Sequence, residues 1–307
     1  MTRYISTRLV VTIPVVFGVS LAVFSMLFLI PGDPVKMMLS EFATNPEQIA
    51  RMRAQLHLNE PFIQQYGRFV WNAAHGNLGE SIRDRRPVTD EIVEVAPSTV
   101  QLTIAAIIFS SCLGITLGIV AAVRQNSWMD LGSMMVALVG VSMPSFWLGL
   151  LLIFAFSLRL GWFPATGGGG FDHLPLPAMA LGLGAAAIIA RLTRSSMLEV
   201  LRMEYITTAR AKGLASAGVV LRHGLKNALI PIITIFGLQF GGLLAGTVFI
   251  ETVFGRPGIG RLLVSAILNK DFPLVQGVVL FIAVGYVFIN LAVDVVYAAV
   301  DPRIRYG

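Results

Sequence analysis

The sequence predicts an all-α protein that crosses a membrane several times. Three observations carry that expectation. Apolar residues make up 55% of the chain and charged residues 13%, against roughly 45–50% and 25% in a soluble domain. The apolar residues are gathered in runs of about 20, the length that spans a hydrocarbon core as a helix. The Lys and Arg residues, which leave a net charge of +6, flank those runs, so they report topology rather than nucleic acid.

The runs place six spans in order. The first is Leu9–Ile30, preceded by Arg3 and Arg8. It is longer than the apolar core of a signal peptide and ends in Pro31-Gly-Asp-Pro34, so a retained span is expected. The second is Ser98–Val123 and the third Leu131–Leu158, with Pro144 expected to kink it by removing a backbone bond. The fourth, Leu174–Ala190, is short and rich in Gly and Ala, a composition that suits close helix packing in lipid. The fifth is Ala228–Ile250, with glycines at 237, 241, 242 and 246, and the sixth Val275–Val296. The single cysteine, Cys112, excludes an intrachain disulfide and a thiolate metal site.

An even number of spans puts both termini on one side. That side carries Arg3, Arg8, Arg124, the cluster from Arg191 to Lys226, Arg303 and Arg305. Both termini are therefore expected in the cytoplasm. The long segment Pro31–Pro97 then lies outside, where a small helical cap is expected. Asn45 suits an N-cap and Pro46 a first helical position. Asn59-Glu60-Pro61 interrupts the pattern, and Phe62–Ala74 reads as a second amphipathic helix.

Between the fourth and fifth spans lies a polar, basic loop, Glu204–Pro231. Ser195–Lys212 has good helix formers and no Pro or Gly, so one helix is expected to run on from the fourth span. Gly213 fits its C-terminus, where a left-handed backbone is cheap only for Gly. Arg210 and Lys212 suit the negative end of the helix dipole. Ser216 is positioned to cap a second helix, Ala217–Leu225. A stiff helix between two spans transmits a push to both. The same residues also suit a solvated basic loop without a partner, and the pattern alone leaves both readings open.

The segment Tyr205-Ile-Thr-Thr-Ala-Arg-Ala-Lys-Gly213, followed by Asn227-Ala-Leu-Ile-Pro231, resembles the coupling loop of ABC-transporter permeases. The resemblance is strongest to the dipeptide/oligopeptide importer family, glutathione permeases included. It extends over nearly the whole chain, through Pro31-Gly-Asp-Pro34, Gly76-Asn-Leu-Gly79 with Ser81 and Pro87-Val88, Pro257-Gly-Ile-Gly-Arg-Leu-Leu263, Asn290-Leu-Ala-Val-Asp294 and Asp301-Pro-Arg-Ile-Arg305. The general permease signature has Glu-Ala-Ala before its Gly. Here Thr207-Thr208-Ala209 stands there with Glu204 earlier, which leaves open whether Glu204 replaces the acid.

The resemblance implies a type I ABC importer permease fold, with residues 1–96 as first span and cap, 97–300 as the permease core and 301–307 as a tail. It implies a multi-pass protein of the bacterial inner membrane. The implied partners are a second homologous permease subunit, two ABC ATPase subunits, an extracytoplasmic peptide-binding protein and a peptide substrate. ATP and Mg2+ belong to the ATPase subunits. No Gly-rich Lys-Ser/Thr phosphate loop occurs here, and no cofactor is expected in this chain.

The implied coupling residues are Glu204, Tyr205, Ala209, Arg210, Lys212 and Gly213. The loop Glu251–Phe272 resembles a periplasmic gate, with Pro257, Gly258 and Gly260 expected to turn it sharply. A peptide path needs polar groups in a wet cavity. Gln239, Ser142, Ser145 and Asn290 are candidates, with Thr247 beside them, and interhelical hydrogen bonding is the plainer use of each. Asp294, near the end of the last span, calls for an Arg partner or interfacial exposure.

Two other function classes compete. An intramembrane enzyme needs a nucleophile and base or a His/Asp metal pair inside the spans. His57, His75, His173 and His223 all read as loop residues, and no His-Glu-x-x-His motif occurs. An ion-coupled secondary transporter or channel usually carries ionisable residues at mid-span in repeated halves. Neither pattern is seen in the sequence.

Overall fold

A computed structural model describes residues 2–29, 35, 46–55 and 58–300. Asn45, His57 and the tail 301–307 lie outside the described residues, as do the side chains of 294–300, Asp294 among them. The described residues are almost wholly helical, with one isolated bridge between Glu80 and Pro87 and no strand. The helices are α1 Thr2–Leu29, α2 Pro46–Gln55, α3 Phe62–Ala74, α4 Val88–Val123, α5 Trp128–Ser142, α6 Ser145–Leu152, α7 Pro175–Val200, α8 Glu204–Ala211, α9 Lys226–Val253, α10 Ile259–Leu268 and α11 Phe272–Val300. Val88–Val123, Phe171–Val200 and Phe272–Val293 are each long and apolar enough to cross a membrane, and the bent pair α5–α6 makes a fourth if taken as one span. Val10–Met26 and Gln239–Val253 are shorter apolar stretches among the described residues.

The third expected span is not one helix. Met143 and Pro144 are both extended, at ψ 131° and 134°, and the two halves meet at 110°. A proline pushes the residue before it out of the helical region as well as lacking an N–H. The consequence is a break rather than a kink. The second half continues as a π-helical segment, Ile153–Arg159.

The chain divides into two compact units. The first comprises Ser98–Pro257 with the chain from Ile289. Its centre is α7: 61% of its apolar window is buried, against 28% for α4 and 22% for α11, so α7 faces protein where those two face outward. Small residues let neighbours approach it closely. A Cβ on Gly118 would lie 2.4 Å from Thr193 Cβ, and one on Gly140 would lie 2.8 Å from the Leu183 carbonyl oxygen. Asp130 ties α5 to α7 by a two-pronged ion pair, accepting from Arg194 Nε and Nη2 at 2.7 Å each. The same carboxylate accepts from Asn126 N at 3.0 Å, and the Ser127 hydroxyl caps α5.

The second unit comprises Thr2–Pro97 and Gly258–Phe288. Here α3 packs along α1 through Phe17, Phe24, Phe28, Phe62, Tyr66 and Phe69, whose rings pair tilted or edge-on except for the stacked Phe62 and Tyr66 within α3. Such pairs add about 0.5–1.5 kcal/mol beyond area burial. Asp271, between α10 and α11, is 2% exposed. It accepts from Ser81 Oγ at 2.6 Å and from the backbone N–H groups of Ile82 and Arg83, and its other oxygen caps Leu274 N at 3.3 Å. A Cβ on Gly277 would lie 2.4 Å from Val88 Cγ1, so the Val88 side chain at the start of α4 sits directly on the α11 backbone.

Candidate functional site

The expected continuous helix Ser195–Lys212 is interrupted. α7 ends at Val200 in a tight turn (Arg202 N to Glu199 O, 3.2 Å; Met203 N to Val200 O, 3.1 Å), and extended Met203 precedes α8. Neither Pro nor Gly marks this break. The turn frees α8 from the direction of α7, and α8 is then fixed from its other end. Gly213 takes φ +75°. Its N–H bonds Arg210 O at 2.9 Å while Leu214 N bonds Ala209 O at 3.4 Å, which closes the helix as a Schellman cap. Nothing lies within 4 Å of where a Gly213 side chain would begin, so the cap stands open at the surface.

One face of α8 is apolar and packed. Ile206, at 0% exposure, and Ala209, at 7%, cluster with Val219 and Leu201. Ala209 was expected on the contact face. The helical period puts it one turn from Ile206 instead, so its methyl group belongs to the chain's own packing. The outward face presents Glu204, Tyr205, Thr207, Thr208, Arg210, Ala211 and Lys212. Tyr205 Oη accepts from Asn227 Nδ2 at 2.8 Å, which straps α8 to the first turn of α9.

The return to α9 is not the capped helix expected from Ser216. Ala215 precedes the helical turn Ser216–Gly218, and Val219–Leu225 is π-helical. His223 therefore sits in a helical segment rather than a loop. The packed side of this segment reaches Ala122, Met197 and Ala228. Gly224 lets it close in, with a Cβ there only 3.3 Å from Met197 Cε. A π-helix is uncommon and marks functional segments more often than scaffolding.

At the other end of α9 the polar groups are inside. Glu251 is 0% exposed and accepts from Thr99 Oγ1 at 2.6 Å. The chain turns at Gly255, φ +60°. The glycine run 167–170 lies on this turn, with Gly167 N donating to Phe254 O at 2.9 Å. A Cβ on Gly168 would fall 2.3 Å from Pro257 Cδ. The sharp turn expected at Pro257, Gly258 and Gly260 thus lies earlier. Gly258 is extended at φ −165°, a backbone open to any residue, and Gly260 is inside α10. Arg256, unnoticed in the sequence, is 1% exposed.

Among the described residues no hydrogen bond joins Gln239, Ser142, Ser145 and Asn290 to one another. Ser142 is exposed, and Ser145 and Asn290 are half-buried. Gln239 Nε2 is buried with no hydrogen-bond partner. Thr247 is 2% exposed and donates to Leu244 O in its own helix at 2.7 Å, the plainer use of such a hydroxyl. Among the described residues, no group of three or more His, Cys, Asp and Glu could hold a metal ion.

Similar proteins agree with this architecture. Residues 114–306 match the family described as binding-protein-dependent transport system inner membrane component. Residues 1–103 match the N-terminal family of such membrane components. A dipeptide transport system permease protein, DppB, of Alkalihalophilus pseudofirmus is 45% identical, covering the whole of both chains. A di/tripeptide permease of Pseudomonas aeruginosa is 44% identical over 100% of this chain and 99% of its own. The glutathione transport system permease protein GsiC of Escherichia coli is 44% identical, covering the whole of both. Among solved structures, an inward-facing MetNI methionine ABC transporter chain superposes with a TM-score of 0.59 at 19% identity, over 68% of this chain and 96% of its own. An amino acid ABC transporter chain gives 0.52 at 16% identity, over 70% and 94%. The fold is that of a type I ABC importer permease, and the gradient-coupled alternative is set aside by the family itself. With both of its parts matched, this chain belongs to the family of inner membrane components of binding-protein-dependent transport systems.

Proposed function

We propose that the chain forms half of the path by which di- or oligopeptides, or glutathione-like peptides, enter the cell. Both termini and α8 lie in the cytoplasm, and the chain makes six passes. A second homologous permease subunit completes the path. Two ATPase subunits hydrolyse ATP with Mg2+, and an extracytoplasmic binding protein delivers the peptide. The full-length identity to permeases named for dipeptides, di/tripeptides and glutathione supports the cargo class.

The observation that carries the mechanism is α8, a short helix capped at Gly213 and backed by α7 and the π-helical segment. Its outward face, Glu204, Tyr205, Arg210 and Lys212, docks on an ATPase subunit, with Gly213 fixing the end of the helix. Docking force reaches α7 through Ile206, Ala209 and Leu201. It reaches α9 through the Tyr205–Asn227 bond. Motion of α9 moves the turn 254–257 at its far end, which acts with Pro257, Gly258 and Gly260 as the outer gate. Gln239, Ser142, Ser145 and Asn290 are offered as polar positions along the route. The test is uptake of labelled dipeptide into vesicles holding the whole complex. Uptake that needs ATP and stops with vanadate is expected. Uptake driven by an ion gradient without ATP would overturn the reading.

A further inference from the structure

Arg256 is the one large cation in the first unit that is sealed inside and incompletely paired among the described residues. Its Nη2 donates to Gln101 Oε1 at a long 3.3 Å. Its Nε and Nη1 are buried with no hydrogen-bond partner. A guanidinium carries five N–H donors in a rigid plane and keeps its charge at any physiological pH. Holding such an ion in a dry interior costs several kcal/mol unless a carboxylate or equivalent meets it. Glu251, the acid whose field reaches it, is bonded to Thr99 Oγ1 at 2.6 Å. Burial pulls the Arg256 guanidinium below the ordinary arginine range, and the Glu251 charge offsets this only in part.

The turn that carries this residue lies against the glycine run 167–170. Arg256 follows Gly255, at φ +60°, and Gly167, in the run that lies on the turn, has φ +115°. The backbone bond Gly167 N to Phe254 O ties that run to the turn, and His173 N to Gly170 O ties its other end to the helical turn that follows. A run of four glycines has no side chains of its own to hold it on the turn. A protein surface cannot reach a group that is 1% exposed within its own chain. A small solute moving past an opened turn can.

We infer that Arg256 binds a carboxylate of the transported peptide when the glycine run lifts from the turn. Carboxylates are the planar anions that an arginine fork matches best. Peptides end in one. This rests on the peptide reading above and deepens it, assigning to the gate a residue that reads the C-terminal end of the cargo.

The test uses the reconstituted complex and two probes, Ala-Ala and its C-terminal amide, each supplied on saturating, preloaded binding protein. Wild type is expected to import the free acid about tenfold faster than the amide, the equivalent of one well-made interaction. Arg256→Gln brings the ratio close to one, and Arg256→Lys restores part of it. An unchanged ratio in Arg256→Gln overturns the proposal, as does equal loss of both probes in an intact complex. Should Arg256→Gln fail to assemble, Arg256→Lys decides by the same ratio. Accessibility is read separately in a chain carrying Cys112→Ser and Arg256→Cys. An anionic methanethiosulfonate reagent is expected to label it with vanadate-trapped ATPases and not at rest. Absence of labelling in both states overturns the opening. If wild type imports neither probe, the peptide reading itself fails and this proposal falls with it. Import with an unchanged ratio sinks this proposal alone.

Discussion

The turn that closes α8 and the turn that follows α9 make opposite use of a glycine at positive φ. At Gly213, φ +75°, the turn caps a helix whose next neighbours are open space. At Gly255, φ +60°, the turn is tied to the glycine run at Gly167 and carries a buried Glu251 before it and a buried Arg256 after it. The first arrangement presents a stiff polar face outward and keeps its apolar residues behind. The second hides charged groups and leaves part of one unpaired. Under the proposed function, a helix gripped by a partner needs definition in the resting state, whereas a gate that opens leaves some polar groups unsatisfied in its closed form.

Substitutions can break this contrast at either end. The largest effect is expected from Gly213→Pro. Proline is fixed near −65° and cannot adopt the observed φ. The Schellman cap is lost, and ATP-driven uptake should vanish while the complex still inserts in the membrane. Retained transport in that variant would mean that α8 is not the transmitting part. At the other end, Gly168→Ala drives a methyl group into Pro257, an overpacking worth about 1–3 kcal/mol. Uptake should fall severalfold while co-purification of the ATPase subunits is unaltered. Loss of ATPase docking there would erase the proposed division of labour.

Asp130→Asn sharpens the comparison by weakening the frame instead of either end. Arg194 then loses its ionic partner, at a cost of about 1–3 kcal/mol. The measurement is the detergent-solubilised melting temperature, which should drop. Arg194→Lys should also lower it, because an ammonium cannot reproduce both bonds of the fork. An unchanged melting temperature would deny the pair its bracing role. The smallest effect is expected from Tyr205→Phe, which removes one acceptor from Asn227 at about 0.5–1.5 kcal/mol. Uptake should fall only slightly, and Asn227→Ala, which also gives up the Nδ2 bond to His223 O at 3.2 Å, should add no more than that second bond in the double variant. Additive losses would show that the two residues act apart.

How much of this could be read in the sequence depends on how local its cause is. The bounds of α3 follow from Asn59-Glu60-Pro61 at one end and the Gly76 turn at the other. The left-handed cap at Gly213 is equally local. Pro144 marked a fault in the third span, but the 110° angle depends on Met143 being extended too, and on how both halves pack. The break at Leu201–Met203 has no Pro or Gly to announce it, since it exists to let Ile206 reach Val219. Asp130 reads in sequence as an ordinary first-turn acid and Arg194 as topological charge, yet they are 64 residues apart and bonded. Arg256 reads as one more loop cation. What remained hidden was long-range pairing, which no window of residues contains.

The bond between Ser81 and Asp271 has a consequence for how the protein is made. The two residues are 190 positions apart. A ribosome adding about 5–20 residues each second delivers the serine many seconds before its acceptor. The loop at 81–83 must wait in the growing chain, its donors satisfied by water, until the last helix emerges. That carboxylate then closes the N-terminal region and starts the final span in one step. Truncation just before residue 271 should therefore leave the beginning of the chain, not only its end, exposed to quality-control proteases.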